Sequence, residues 1–110
     1  MSDTLSQLER VIAKRRDADP ATSYVAALYA GGRARMARKL GEEAVETVVA
    51  AMADDQAAVV AESADLLFHL LVLLSDFGLT LEDVTAELMR REGLSGHAEK
   101  AARPKEIGMG

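Results

Sequence analysis

Glu62-Ser-Ala-Asp-Leu-Leu-Phe-His-Leu-Leu-Val-Leu-Leu74 opens with two acids three residues apart and continues as a run that is apolar on every side except at His69. A helix apolar all round must be covered all round. The few other helices that 110 residues can form would struggle to cover it alone. The run therefore predicts an all-α helical bundle completed by association with a second copy, and a two-fold homodimer is the simplest closed solution.

Outward from this stretch the whole chain reads as helical. Alanine and leucine dominate, and no strand-like alternation bounded by turn pairs is present. Upstream, Gly41-Glu-Glu-Ala-Val-Glu-Thr-Val-Val-Ala-Ala51 lies in a long helix predicted from about Arg33 to Ala53, with a turn at Asp54-Asp55. The helix that carries the opening stretch is predicted over about Gln56 to Phe77, with Gly78 as its C-terminal stop. A first helix starts at a cap near Ser2 to Thr4 and ends before Asp17-Ala-Asp-Pro20, a cluster of breakers. A short helix capped by Thr22 or Ser23 carries Tyr24, Leu28 and Tyr29 and stops at Gly31-Gly32. Thr80 caps a last helix, Leu81 to about Arg91, with acids in its first turn and arginines in its last, as the macrodipole favours. The expected organisation is one domain over 1–110, with a poorly periodic segment from about 94.

Residues three or four apart share a helix face. Glu43 and Glu46 are therefore neighbours, and so are Glu62 and Asp65. Helices joined by a short turn lie antiparallel, and with the turn at Asp54-Asp55 the two pairs stand at about the same height. Four carboxylates are expected to converge between two helices, with Glu42 at the edge. Two like charges about 4 Å apart repel by roughly 4 kcal/mol at an effective dielectric near 20. Lys39 and Arg38 can reach Glu42 or Glu43, but Glu46, Glu62 and Asp65 have no basic residue three or four positions away. Between Lys39 and Arg90 there are eleven acids and no lysine or arginine. An ordinary solvated helix surface interleaves the signs.

A hard divalent cation offsets such repulsion. Magnesium usually takes only one or two carboxylates together with waters and phosphates, so this many favours two or more Mg²⁺ ions, or one ion with spare carboxylates to handle water. The bland alternative is a set of solvated glutamates, for which an isolated ExxE would be no counter-evidence. The matched ExxD and the missing basic residues weigh against it. An EF-hand is excluded because no D-x-D-x-D-G loop is present. His69 reads as a core histidine bonded to Asp65 rather than as a ligand, and Tyr24 and Tyr29 as packing residues. Arg33, Arg35, Arg38 and Lys39 are either a solvated face or phosphate contacts.

The chain has no cysteine, which excludes disulfides and thiolate metal sites. A net charge of -5 argues against non-specific nucleic-acid binding. The N-terminus lacks the pattern of a signal peptide, and Leu66–Leu74 is short of the roughly 20 residues that span a bilayer. The expectation is a soluble, cytoplasmic protein with neither nucleic-acid nor membrane partner.

Glu43-x-x-Glu46 with Glu62-x-x-Asp65 resembles the metal motif of the MazG-like all-α nucleotide pyrophosphohydrolases. Pro20 through Ser23-Tyr24, Lys39-Leu-Gly-Glu-Glu-Ala-Val-Glu46, Glu62 through Leu74, and Ser95-Gly96-x-x-Glu99-Lys100-Ala-x-Arg103 resemble, more narrowly, the phosphoribosyl-ATP pyrophosphatase family over nearly the whole chain. Ser63 and Phe68 stand where alanine and tyrosine are usual there. The resemblance implies a Mg²⁺-dependent hydrolase, with phosphoribosyl-ATP split into phosphoribosyl-AMP and pyrophosphate in the second step of histidine biosynthesis. It implies Glu43, Glu46, Glu62 and Asp65 as metal ligands. Glu42 is the candidate that orients or deprotonates water, and Lys39, Lys100 and Arg103 are candidates for phosphate. The competing readings are a house-cleaning nucleoside triphosphate pyrophosphatase and, from another class, a non-enzymatic helical dimerisation module.

Overall fold

A computed structural model describes residues 3–92. Over them the chain forms five helices and no strand: α1 (Asp3–Arg15), α2 (Tyr24–Ala30), α3 (Arg33–Met52), α4 (Gln56–Asp76) and α5 (Leu81–Arg91). The all-α expectation holds, and helix limits agree with the sequence reading to within a residue or two. Local chemistry explains the limits. The Ser23 side chain accepts the Ala26 N–H at the start of α2, and Asp55 accepts the Ala58 N–H at 3.1 Å at the start of α4. At the start of α5 the Thr80 N–H donates to Asp83 Oδ2 at 2.9 Å.

The α3–α4 hairpin is the spine of the molecule. It turns through a left-handed residue, Asp54, at φ 57°. The Asp54 N–H donates to the Ala51 carbonyl and the Asp55 N–H to the Ala50 carbonyl, so the last carbonyls of α3 are satisfied in a Schellman arrangement. The far end of α4 closes in the same way around Gly78 at φ 73°, with the Leu79 N–H on the Leu74 carbonyl.

The core gathers Ile12 from α1, Val25 and Leu28 from α2, Met36 from α3, and Leu71 and Val72 from α4. Two tyrosines tie α2 to α4. The Tyr24 hydroxyl lies 2.9 Å from His69 Nε2, while the Tyr29 hydroxyl donates to the Val72 carbonyl at 3.3 Å and meets the Ser75 hydroxyl. Both contacts advance in the same sense, so α2 runs parallel to α4. At the C-terminal end of α4, Asp76 accepts from Arg33 Nε at 2.6 Å and faces Arg16 at 3.8 Å. The Arg33 guanidinium also lies 3.8 Å from the Phe77 ring centroid. α5 is fastened where its first N–H, on Leu81, donates to Glu9 Oε2 of α1 at 2.7 Å.

The single chain leaves much of its spine uncovered. On α3, Val45, Val48, Val49 and Met52 are 60–82% exposed. Their spacing puts them on one face. Val60 and Leu67 on α4 are also exposed. α4 is long enough to cross a bilayer, and its most apolar 18 residues have a mean hydropathy of 1.9. The apolar run Leu66–Leu74 is only part of that stretch, and a core helix of a soluble protein passes the same test.

Candidate metal centre

Two helices meet the site at matched height. α3 presents Lys39, Glu42, Glu43 and Glu46, and α4 presents Glu62, Asp65 and His69. Carboxylate oxygens of Glu43, Glu62 and Asp65 all lie within 4.8 Å of one another. The three differ in exposure: Glu43 is buried, Glu62 half-buried and Asp65 exposed. Exposure thus rises across the trio from Glu43 to Asp65.

Glu43 Oε1 and Glu62 Oε1 are both buried without a hydrogen-bond partner. Native interiors rarely tolerate that for a polar atom, least of all for a potentially charged one. Burial pushes the Glu62 carboxyl above its ordinary range, and the neighbouring carboxylates of Glu46 and Glu43 push it further. Glu46 itself is exposed. With Glu62, Val49, Ala50 and Ala58 it lines a cavity of about 360 Å³ running from the cluster toward the hairpin turn.

Lys39 is the only cation that an ion pair brings to this trio among the described residues. Its ammonium lies 3.2 Å from Glu42 and 3.9 Å from Glu43. The bond to Glu42 holds its proton more tightly than usual. One ammonium at the α3 edge does not reach the orphaned oxygens of Glu43 and Glu62. Two remedies remain for them, a shared proton or a cation. The donor set is all oxygen, and both ring nitrogens of the nearby histidine are engaged elsewhere: Nε2 with Tyr24 and Nδ1 with the Asp65 carbonyl at 2.8 Å. Such a set suits a hard divalent ion.

The structure brings Glu43, Glu62 and Asp65 together and sets Glu46 beside Glu62. Glu42 stands exposed one position from Glu43, bound to Lys39. Arg33 is committed to Asp76 at the far end of α4. Lys100 and Arg103 lie outside the described residues. His69 bonds the backbone oxygen of Asp65, not its carboxylate. Sequence reasoning missed Tyr24, which joins His69 across 45 positions, and nothing in the local pattern signals that pairing.

A family model described as phosphoribosyl-ATP pyrophosphohydrolase matches residues 5–92. The chain belongs to that family. It is 67% identical over 105 residues to a phosphoribosyl-ATP pyrophosphatase of Rhizorhabdus wittichii, covering 96% of this chain and 99% of the relative. A protein of the same name from Zymomonas mobilis is 59% identical, with 94% and 96% covered. The Sphingopyxis alaskensis counterpart is 55% identical, with 94% and 95% covered. The match to the family model takes in α2 to α5 whole, α1 from Leu5 onward, and every acid of the α3–α4 cluster.

Proposed function

We propose that this protein hydrolyses the α–β phosphoanhydride of phosphoribosyl-ATP to phosphoribosyl-AMP and pyrophosphate, the second step of histidine biosynthesis, with Mg²⁺ held by Glu43, Glu46, Glu62 and Asp65. One observation carries the reading in a chain of this family: two buried carboxylate oxygens without partners, at the meeting point of three acids. When bound, magnesium supplies charge neutralisation for the oxygens of the phosphoanhydride.

The protein's own groups do the rest. Phosphoryl transfer asks for positioning and charge neutralisation rather than a covalent nucleophile. Glu43 is fixed by burial, and its main-chain carbonyl accepts the Thr47 hydroxyl at 2.8 Å. Glu62 and Asp65 are fixed by a helix that core residues grip two turns further on. Glu42 orients water and takes its proton at the exposed edge. Lys39 stands beside it, where its ammonium meets a phosphate, and Lys100 and Arg103 serve the same end from the C-terminal segment. More carboxylates gather here than one magnesium needs, and the surplus supports more than one ion.

The exposed stripe Val45, Val48, Val49 and Met52, with Val60 and Leu67, supports a homodimer in which a second copy covers the α3–α4 spine. Light scattering at micromolar concentration tests this, and a monomer there rules the arrangement out. The decisive assay for the reaction is pyrophosphate release from phosphoribosyl-ATP, ATP and deoxynucleoside triphosphates, with and without Mg²⁺. The expected result is Mg²⁺-dependent release from phosphoribosyl-ATP alone. Equal rates on every nucleotide point to the house-cleaning reading instead.

A further inference from the structure

The buried imidazole of His69 is held at both nitrogens. Nδ1 lies 2.8 Å from the main-chain oxygen of Asp65, one turn earlier on α4. A carbonyl oxygen only accepts, so in the neutral ring Nδ1 carries the hydrogen. Nε2 is then a bare acceptor, and the Tyr24 hydroxyl 2.9 Å away must donate to it. The two bonds select the same tautomer. Tyr24 and Phe68 also clasp the ring edge-on, at 5.8 and 5.0 Å between centroids.

We infer that Tyr24 is a positioning residue of the acid cluster: by donating to His69 it selects the imidazole tautomer that clamps the Asp65 turn of α4. Without that hydroxyl only the Asp65 carbonyl is left to favour the Nδ1–H form, and the preference of the ring weakens. In the alternative tautomer the Nδ1 lone pair would confront the Asp65 carbonyl, and two acceptors at that distance repel. The ring must then turn, and the helical turn that aims Asp65 at Glu43 and Glu62 loses its fixed support. Groups that orient a ligand without touching the ion commonly change metal affinity by about 10–100-fold.

The molecule supplies its own control. Tyr29 makes the other hydroxyl tie between α2 and α4, at Val72 and Ser75, well past the acids. A merely structural role predicts that Tyr24→Phe and Tyr29→Phe behave alike.

This inference rests on the metal reading of the cluster, and the experiment separates the two. Mn²⁺ binding to the full chain is titrated by electron paramagnetic resonance and calorimetry, and imidazole ¹⁵N shifts report the His69 tautomer. Y24F is expected to bind Mn²⁺ about 10-fold more weakly than wild type and to show a mixed tautomer. Y29F should stay within about twofold of wild type, although both variants lose thermal stability. In a His69→Gln background, Y24F should add nothing. If wild type takes up no Mn²⁺, the metal reading falls and this inference with it. If wild type binds but Y24F matches it, or if Y24F and Y29F weaken binding equally, or if Y24F still weakens binding in H69Q, the inference alone is overturned.

Discussion

The acids of α4 live in two opposite circumstances. At its C-terminal end Asp76 is answered by the chain itself, with Arg33 at 2.6 Å and Arg16 at 3.8 Å. Both arginines are stacked on aromatic rings, Arg33 on Phe77 and Arg16 on Tyr29. Toward the other end, Glu62 and Asp65 face further acids, and an oxygen of Glu62 is buried with no partner. Evolution had arginines at hand, since 13 basic residues occur in the chain, yet none falls between Lys39 and Arg90. Under the function proposed above, the difference separates charge that holds the fold from charge kept for a ligand. Asp76 is compensated internally, whereas in that proposal Glu62 and Asp65 are compensated by the ion they hold.

Glu62→Gln is the sharpest way to break this comparison. Loss of a ligand that neutralises developing charge should lower Mg²⁺-dependent turnover by at least about 10²–10³-fold, read as pyrophosphate release. Stability should move the other way in the metal-free protein. The Glu62 carboxyl is held above its ordinary value of 4.5. The unfolded chain therefore gives up this proton first as pH rises. The associated stability is complete below 4.5 and disappears as pH climbs through the higher folded value. Metal-free wild type should accordingly gain thermal stability on acidification from neutrality toward pH 5, whereas E62Q should lack that component. At neutral pH, Mg²⁺ at a hundred times its dissociation constant should stabilise wild type by about 2.7 kcal/mol and leave E62Q nearly unmoved. An E62Q protein that still responds to Mg²⁺ as wild type does would place the ion elsewhere.

Asp76→Ala is the opposite experiment on the same helix. It removes a carboxylate that Arg33 hydrogen-bonds and Arg16 faces as an ion pair at a largely covered position, which should cost about 1–2 kcal/mol by urea denaturation. Turnover of the folded enzyme and Mg²⁺ affinity should not change. A large catalytic effect would mean that the two ends of α4 are not separate in function.

How much of this was legible beforehand follows from the range of each interaction. Ser23, Asp55, Thr80 and Gly78 act within four residues of themselves, so the helix limits could be read locally. The meeting of Glu43 with Glu62 and Asp65 spans only a hairpin. Once Asp54-Asp55 is recognised as its turn, rise per residue sets the two acid pairs level. Arg33 with Asp76 follows from the same hairpin, each about 21 positions from the turn, whereas Tyr24 with His69 depends on where α2 is laid across α4. That placement comes from the burial of Val25, Leu28 and Met36 against Leu71 and Val72, a packing result no local spacing encodes. Exposure of the α3 stripe was likewise visible only once the single chain was folded, although the all-apolar run of α4 already demanded more cover than the chain owns. Lys100 and Arg103 lie outside the described residues, so their part rests on sequence alone.

The smallest expected effect comes from the hairpin turn. Two Schellman motifs end long helices here, one through Gly78 and one through Asp54, and only glycine adopts the left-handed region without a side-chain penalty. Asp54 sits between the negative end of α3 and the positive end of α4, so the two dipoles act on its charge in opposite senses. Asp54→Gly removes the side-chain penalty, at the cost of a more flexible unfolded chain, and should stabilise the protein by about 0.5–1 kcal/mol. Asp54→Asn removes only the charge and should change stability by less, so the pair divides backbone strain from electrostatics. Neither change should alter Mg²⁺ affinity, because the turn lies about 12 Å along the helix from Glu46 at 1.5 Å per residue. A shift in affinity with D54G would show that the tip of the hairpin sets the spacing of the acids, and the division between structural and ligand-holding regions would then have to be drawn inside the hairpin itself.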